Sequence, residues 1–393
     1  MRERFSPLVE RVSGKGAQGW ELHRAAVEAK AAGRDVIVMS IGDPEFSTSP
    51  AIADTAVEAI RSGDTHYPEV QGRYKVRKAV AQYVNHLSAT SHGAENVVLC
   101  NGTQNALFNV SLALFTEGDE VIMPDPAYLT YEATLRVGGA KLVPVPLRSE
   151  SGFALDISAI AQSVTPRTKV IMVNSPANPT GAVATPDEVA GLAALAREND
   201  LWVVSDEVYA DLIFEGQHRS IASAPEMVDR SVIVGGLSKS HAMTGWRIGW
   251  AVGPVDLINH MERINLAMTY GLPGFIQQAA LTALRADDEV AAMREIYRRR
   301  RDLVVDQLSE APGLVPLVPG AGMFVFVDVR GTGMTSNDFA WELFESTGVA
   351  VLDGANFGQN AQGWVRMSFA IDETYLAEAC RRVVDFCQSL LDK

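Results

Sequence analysis

Seven short apolar runs recur between residues 96 and 253: NVVLC, EVIMP, KLVPV, KVIMV, LWVVS, SVIVG and IGWAVG. They are near-continuous rather than alternating, so strands built from them must be covered on both faces. Stretches with helical spacing lie between several of them, among them NALFNVSLALF and PDEVAGLAALAREN. In the second, Pro186 and Asp187 stand where a helix would begin. Strands alternating with helices predict an α/β fold with a mostly parallel seven-stranded sheet and helices on both sides. Such a sheet binds ligands beyond the carboxyl ends of its strands. The turns that follow the apolar runs are therefore where chemistry is to be sought.

The flanks read differently. MREIYRRRRDLVVDQL has the pattern of a charged helix, and MFVFVDV and VRMSFA read as strands. With 393 residues to place, the expectation is a large domain over 46–285 and a smaller α+β domain built from 1–45 and 286–393. The arginine run 298–301 is expected on a solvated helix face. A net charge of −14 argues against nucleic acid or an anionic membrane surface as partner. No apolar stretch approaches the ~20 residues of a membrane span. The opening MRERFSPLVERVSGKG lacks the apolar segment of a secretory signal. Cys100, Cys380 and Cys387 have no metal-ligand spacing and fit no closed disulfide set, so reduced thiols in a cytoplasmic protein are expected.

In GGLSKSHAMTGWRIGW, Lys239 follows the apolar run SVIVG inside a glycine-rich turn. A lysine fixed there can present its amine to a carbonyl compound, as Schiff-base lysines do. Arg247 lies between glycines that let backbone approach closely, and its planar fork suits a phosphate. Ser238 adds a hydroxyl. At NGTQNALF, Gly102 ends a strand just before a helix, whose N-terminal N–H groups form a second anion site. Asp206 closes LWVVSD and Tyr209 follows three residues on. Pyridoxal 5′-phosphate requires a lysine for its aldehyde, a phosphate cradle and an acid for its ring nitrogen, and this constellation offers all three.

On these residues the chain resembles the fold-type I, class I/II aminotransferases. The resemblance runs in order through IGDPEF, HYPEVQG, NGTQNAL, DPAYLTY, NSPANPTG, SDEVY, SKSHAMTGWRIG and VRMSFA. It implies that Lys239 carries the cofactor and moves the proton, with Asp206 on the ring nitrogen. Asn178 and Tyr209 would meet the ring's phenolic oxygen, and Tyr128 would stack on the ring. The phosphate would be held by Gly102, Thr103, Gln104, Ser238 and Arg247, with Tyr67 reaching the partner subunit's phosphate. Arg366 would clamp the substrate α-carboxylate near Gly42, while Asn178, Tyr128 and Tyr270 complete the substrate wall. A homodimer with shared active sites follows from that reading, with amino acids and 2-oxo acids as the small-molecule substrates it implies.

Within the family, THYPEVQG, VPVPLRSESGF, SDEVYADLIFEG and YGLPGFIQ resemble bacterial arginine–pyruvate transaminases. Thr103 stands where aspartate-using relatives can carry a lysine for the distal carboxylate. Glu45 and Glu69 are the acids offered for a guanidinium. The alternatives are an aspartate or aromatic aminotransferase using 2-oxoglutarate, and a β-lyase on the same cofactor.

Overall fold

The computed structural model of the chain describes residues 4–13 and 19–391. Every apolar run of the central region is a strand, and the seven strands share one sheet. In spatial order they are Val97–Cys100, Gly249–Val252, Ser231–Gly236, Trp202–Asp206, Thr168–Asn174, Glu120–Asp125 and Lys141–Pro146. All neighbours run parallel except Gly249–Val252, which is antiparallel to both of its neighbours.

The missing alternation has the expected cause. Val170 and Met172 pack into the core beneath the helices Thr103–Leu114 and Val255–Met268. Ile171 and Val203 face the opposite core, which contains Leu192 and Ala196 of the helix Pro186–Glu198. That last helix begins with a capping box. Thr185 Oγ1 accepts from the Glu188 N–H at 3.2 Å, and the Glu188 carboxylate accepts from the Thr185 N–H at 2.6 Å.

Register decides where the chemistry can sit. Asn174 lies opposite Asp206 and Asp206 opposite Val234, so these strands end level with one another. Gly249 pairs with both Cys100 and Gly236. The antiparallel strand therefore starts at the edge its neighbours leave, and Arg247, just before it, meets the segments that follow the other strands. Gly249 is required there: a Cβ on it would come within 2.5 Å of the Thr103 nitrogen.

A second sheet is antiparallel throughout, in the order Leu352–Asp353, Trp364–Ser368, Phe324–Asp328 and Val315–Leu317. The early strand Ile37–Val38 pairs in parallel with Val349–Ala350, which ties the beginning of the chain to its end. One apolar core joins Ala26, Tyr297, Val304, Val325, Phe339 and Cys380. The three cysteines are free and buried. Among the described residues no helix is long and apolar enough to cross a membrane.

The arginine run departs from expectation. It lies in the helix Asp287–Ser309, where Arg298 and Arg299 are solvated but Arg300 and Arg301 are only 4% and 5% exposed. Successive helical residues point about 100° apart, so four in a row cannot all face water on a helix that packs against a sheet. Arg301 donates to Asp302 at 2.8 Å and lies 5.0 Å over the Phe214 ring.

Candidate active site

A cleft of about 380 Å³ opens at the carboxyl edge of the large sheet and is closed by side chains of the second sheet. Lys239, three residues beyond the strand Ser231–Gly236, donates from Nζ to the Gly42 carbonyl at 2.6 Å. Burial lowers its pKa to about 8; Asp43 opposes the shift, and Arg366 and Arg247 add to it. A useful fraction of free amine thus exists near neutral pH, which an exposed lysine would lack.

The anion site expected from the sequence falls at the start of the helix Thr103–Leu114, whose N-cap is Gly102. Thr103 Oγ1 is buried without a hydrogen-bond partner. Arg247 donates to the Thr244 carbonyl at 2.8 Å, and no carboxylate lies within ion-pair distance of it among the described residues. Ser238 lines the same wall. The Gln104 side chain accepts from Thr130 at 3.0 Å and donates to Thr134, which ties its amide to the neighbouring helix and leaves its backbone N–H at the helix N-terminus for an anion.

Asp206 ends its strand inside the cleft. Burial raises its pKa to about 6, against hydrogen bonds from the Tyr131 hydroxyl at 2.6 Å and the Val208 N–H at 3.1 Å. Asn178 links two further groups: its Nδ2 donates weakly to the Tyr209 hydroxyl at 3.4 Å, and its Oδ1 accepts from Arg366 Nη1 at 3.0 Å. Burial pushes the Tyr209 and Tyr128 phenols up, so both stay neutral donors. Arg366 is 1% exposed, donates from Nη2 to the Ser40 carbonyl at 2.7 Å, and leaves Nε without a partner. It lies 4.0 Å over the Phe324 ring, and no acid pairs with it among the described residues. Burial lowers its pKa to about 10, which leaves it a cation at neutral pH. An unpaired buried guanidinium is costly unless a ligand anion completes it.

The structure thus brings Gly42, Thr103, Gln104, Tyr128, Asn178, Asp206, Tyr209, Ser238, Lys239, Arg247 and Arg366 into one cleft, with Gly102 directly beneath. Tyr67 and Tyr270 are not in it. They pack against each other at the surface with rings tilted by 54° and 4.8 Å between ring centres, and are 83% and 52% exposed. Glu45 does not line the cleft but pairs with Arg300, and Glu69 is exposed near the surface tyrosines. The sequence reading missed Trp20, Asp43 and Tyr131, all of which line the cleft. Tyr131 had a readable signal, since it stands three residues after Tyr128 at the start of the helix Tyr131–Arg136. Trp20 had none.

The family model for aminotransferase class I and II matches residues 34–383. The chain is 45% identical, over 99% of both chains, to the arginine–pyruvate transaminase AruH of Pseudomonas aeruginosa. It is 37% identical to a probable aspartate/prephenate aminotransferase of Rhizobium leguminosarum, over 92% of this chain and 94% of that one. The solved structure of Thermus thermophilus aspartate aminotransferase with maleate superposes with a TM-score of 0.92 at 34% identity, covering 98% of this chain and 100% of the other. By its sequence, its fold and its relatives, the chain belongs to the class I and II aminotransferases and is a transaminase.

Proposed function

We propose that the protein transfers the amino group of L-arginine, or of a related basic or broad-range donor, to pyruvate, with pyridoxal 5′-phosphate as cofactor. The observation that carries the reading is Arg366: a buried cation without an acid partner, in the same cleft as a lysine whose pKa is lowered to about 8. Thr103 with its unpartnered hydroxyl, Ser238 and Arg247 fit the phosphate, and Asp206 fits the ring nitrogen. When bound, the cofactor supplies an aldehyde for the donor's amine and a conjugated ring that takes up the electron pair left at the donor Cα.

The chain's own residues do the rest. Arg366 and Asn178 hold the α-carboxylate. Asp206, an anion above about pH 6, keeps positive charge on the ring nitrogen. Lys239 would hold the cofactor's aldehyde between turnovers, and its free amine would remove the donor Cα proton and redeliver it. With the cofactor bound, the donor would leave as its 2-oxo acid, with a carbonyl oxygen from water and its amino group left on the cofactor, and pyruvate would take up that amino group with return of the water.

For the donor, the cations lining the cleft are Lys239, Arg247 and Arg366, each with a role already. Thr103 offers no charge to a distal carboxylate, which disfavours aspartate. The relative named arginine–pyruvate transaminase supports the basic donor. The exposed Tyr67–Tyr270 pair supports a homodimer in which each subunit completes its partner's site. A cytoplasmic location fits the free cysteines.

A single-turnover experiment without acceptor tests this: the bound cofactor's absorbance should bleach quickly with L-arginine and slowly with L-aspartate. The reverse order would overturn the donor. Repetition at increasing dilution should slow bleaching per subunit as shared sites separate; a dilution-independent rate in demonstrated monomers would end the shared-site reading.

A further inference from the structure

Residues 40–48 form a strap whose inner side touches both Arg366 and Lys239 of the cleft. The Ser40 carbonyl accepts from Arg366 at 2.7 Å and the Gly42 carbonyl from Lys239 at 2.6 Å. Asp43 accepts from the Thr244 hydroxyl at 2.7 Å. Thr48 donates to the Ala242 carbonyl at 2.6 Å and accepts from the Trp246 indole at 2.8 Å. Gly42 is pressed against Phe324, so that a Cβ there would run into the ring under Arg366. The strap therefore sets the position of both the carboxylate clamp and the amine.

Its outer side has one charged anchor. Glu45 accepts from Arg300 of the helix Asp287–Ser309, and the Arg300 guanidinium lies 5.3 Å over the Phe46 ring and 6.0 Å over the Tyr297 ring. Among the described residues, Nε and Nη1 of Arg300 and the nearby Tyr297 hydroxyl have no hydrogen-bond partner. Glu45 is thus the group that repays the burial of this arginine.

We propose that Arg300 is a positioning residue for transamination: by anchoring Glu45 and Phe46 it fixes the strap whose carbonyls hold Arg366 and Lys239. This rests on the roles of Lys239 and Arg366 proposed above. Loosening the anchor removes no reacting group but lets the carboxylate clamp and the amine drift relative to each other.

The test is the half-reaction rate against donor concentration in holoenzyme variants, with melting temperature measured alongside. Arg300→Met should raise the donor concentration at half-saturation about tenfold, with a smaller change in the limiting rate. Arg300→Lys should recover most of the loss, and Glu45→Gln should move the same way on a milder background. The double variant Arg300→Met/Glu45→Gln should be no worse than Arg300→Met alone, because both act through one contact. A second readout is the apo-protein: the pH midpoint at which Lys239 combines with added cofactor should move to lower pH in Arg300→Met, because the Gly42 carbonyl that favours the ammonium form is held less well by a loosened strap. Val304→Ala, a cavity on the same helix, controls for stability and should lower the melting temperature without moving half-saturation. Unchanged half-saturation in Arg300→Met, or an equal rise in Val304→Ala, would overturn the anchor alone. Absence of bleaching in the unmodified protein with any amino acid would overturn the functional reading beneath it.

Discussion

The two walls of the cleft are built in different ways. Along the large sheet each polar group follows a strand end by a few residues: Thr103 after Cys100, Asp206 at the end of its own strand, and Lys239 after Gly236. The facing wall is collected from afar. Trp20 and Gly42 come from the beginning of the chain, Phe324 and Arg366 from near its end, and Arg366 donates to a carbonyl 326 positions away. The first wall owes its geometry to turn chemistry and register. The second owes it to a core that joins both ends of the chain. If so, damage to the first wall should strike the chemical step, and damage to the second should strike donor binding.

Lys239→Ala should have the largest effect, since on the proposed function it removes both the amine that would hold the cofactor and the base at Cα. Turnover should fall by about 10⁴-fold or more, while donor added to the holo-form still alters the cofactor spectrum slowly. Substantial steady-state turnover in that variant would sink the assignment of the first wall.

Arg366→Leu comes next. Losing the clamp should cost about 10²–10³-fold in kcat/KM for amino donors, carried mostly by KM, with cofactor affinity little changed. The arginine has no acid partner and lies among the Phe324 and Phe357 rings, so leucine should hold or raise the melting temperature. A variant that melts earlier and binds donor normally would show that Arg366 serves the fold.

The same contrast explains what was legible in the sequence. The seven strands announced themselves because a sheet covered on both faces needs uninterrupted apolar runs, and the residues of the first wall are fixed by the turns that end them. Arg366 was placed by family resemblance, since nothing local distinguishes a strand arginine that meets a carbonyl from one that meets an acid. Trp20 and Asp43 reach the cleft through contacts between distant segments, which no local pattern records. The arginine run was misread because charge alone does not reveal helix phase: Arg298 and Arg299 face water, while Arg300 and Arg301 turn inward. Glu45, first considered for substrate, is committed to that inward face.

The smallest expected effect tests a contact within the first wall. The Tyr131 hydroxyl donates to Asp206 at 2.6 Å and opposes the burial that raises the Asp206 pKa to about 6. Tyr131→Phe keeps the ring, which meets Tyr128 edge-on at 5.6 Å, and deletes only the donor. Without it the anion is less well held and the Asp206 pKa rises further. In its proposed role Asp206 would support positive charge on the cofactor ring only as the anion, so that support would be present above its pKa and fade as pH falls through it. The acid limb of the half-reaction profile should therefore move to higher pH by roughly half a unit to one unit, about the worth of one hydrogen bond. Near pH 8 the variant should match the parent within about twofold; near pH 6 it should lag several-fold. An acid limb that stays in place, or moves to lower pH, would mean that the Tyr131 hydroxyl does not tune Asp206.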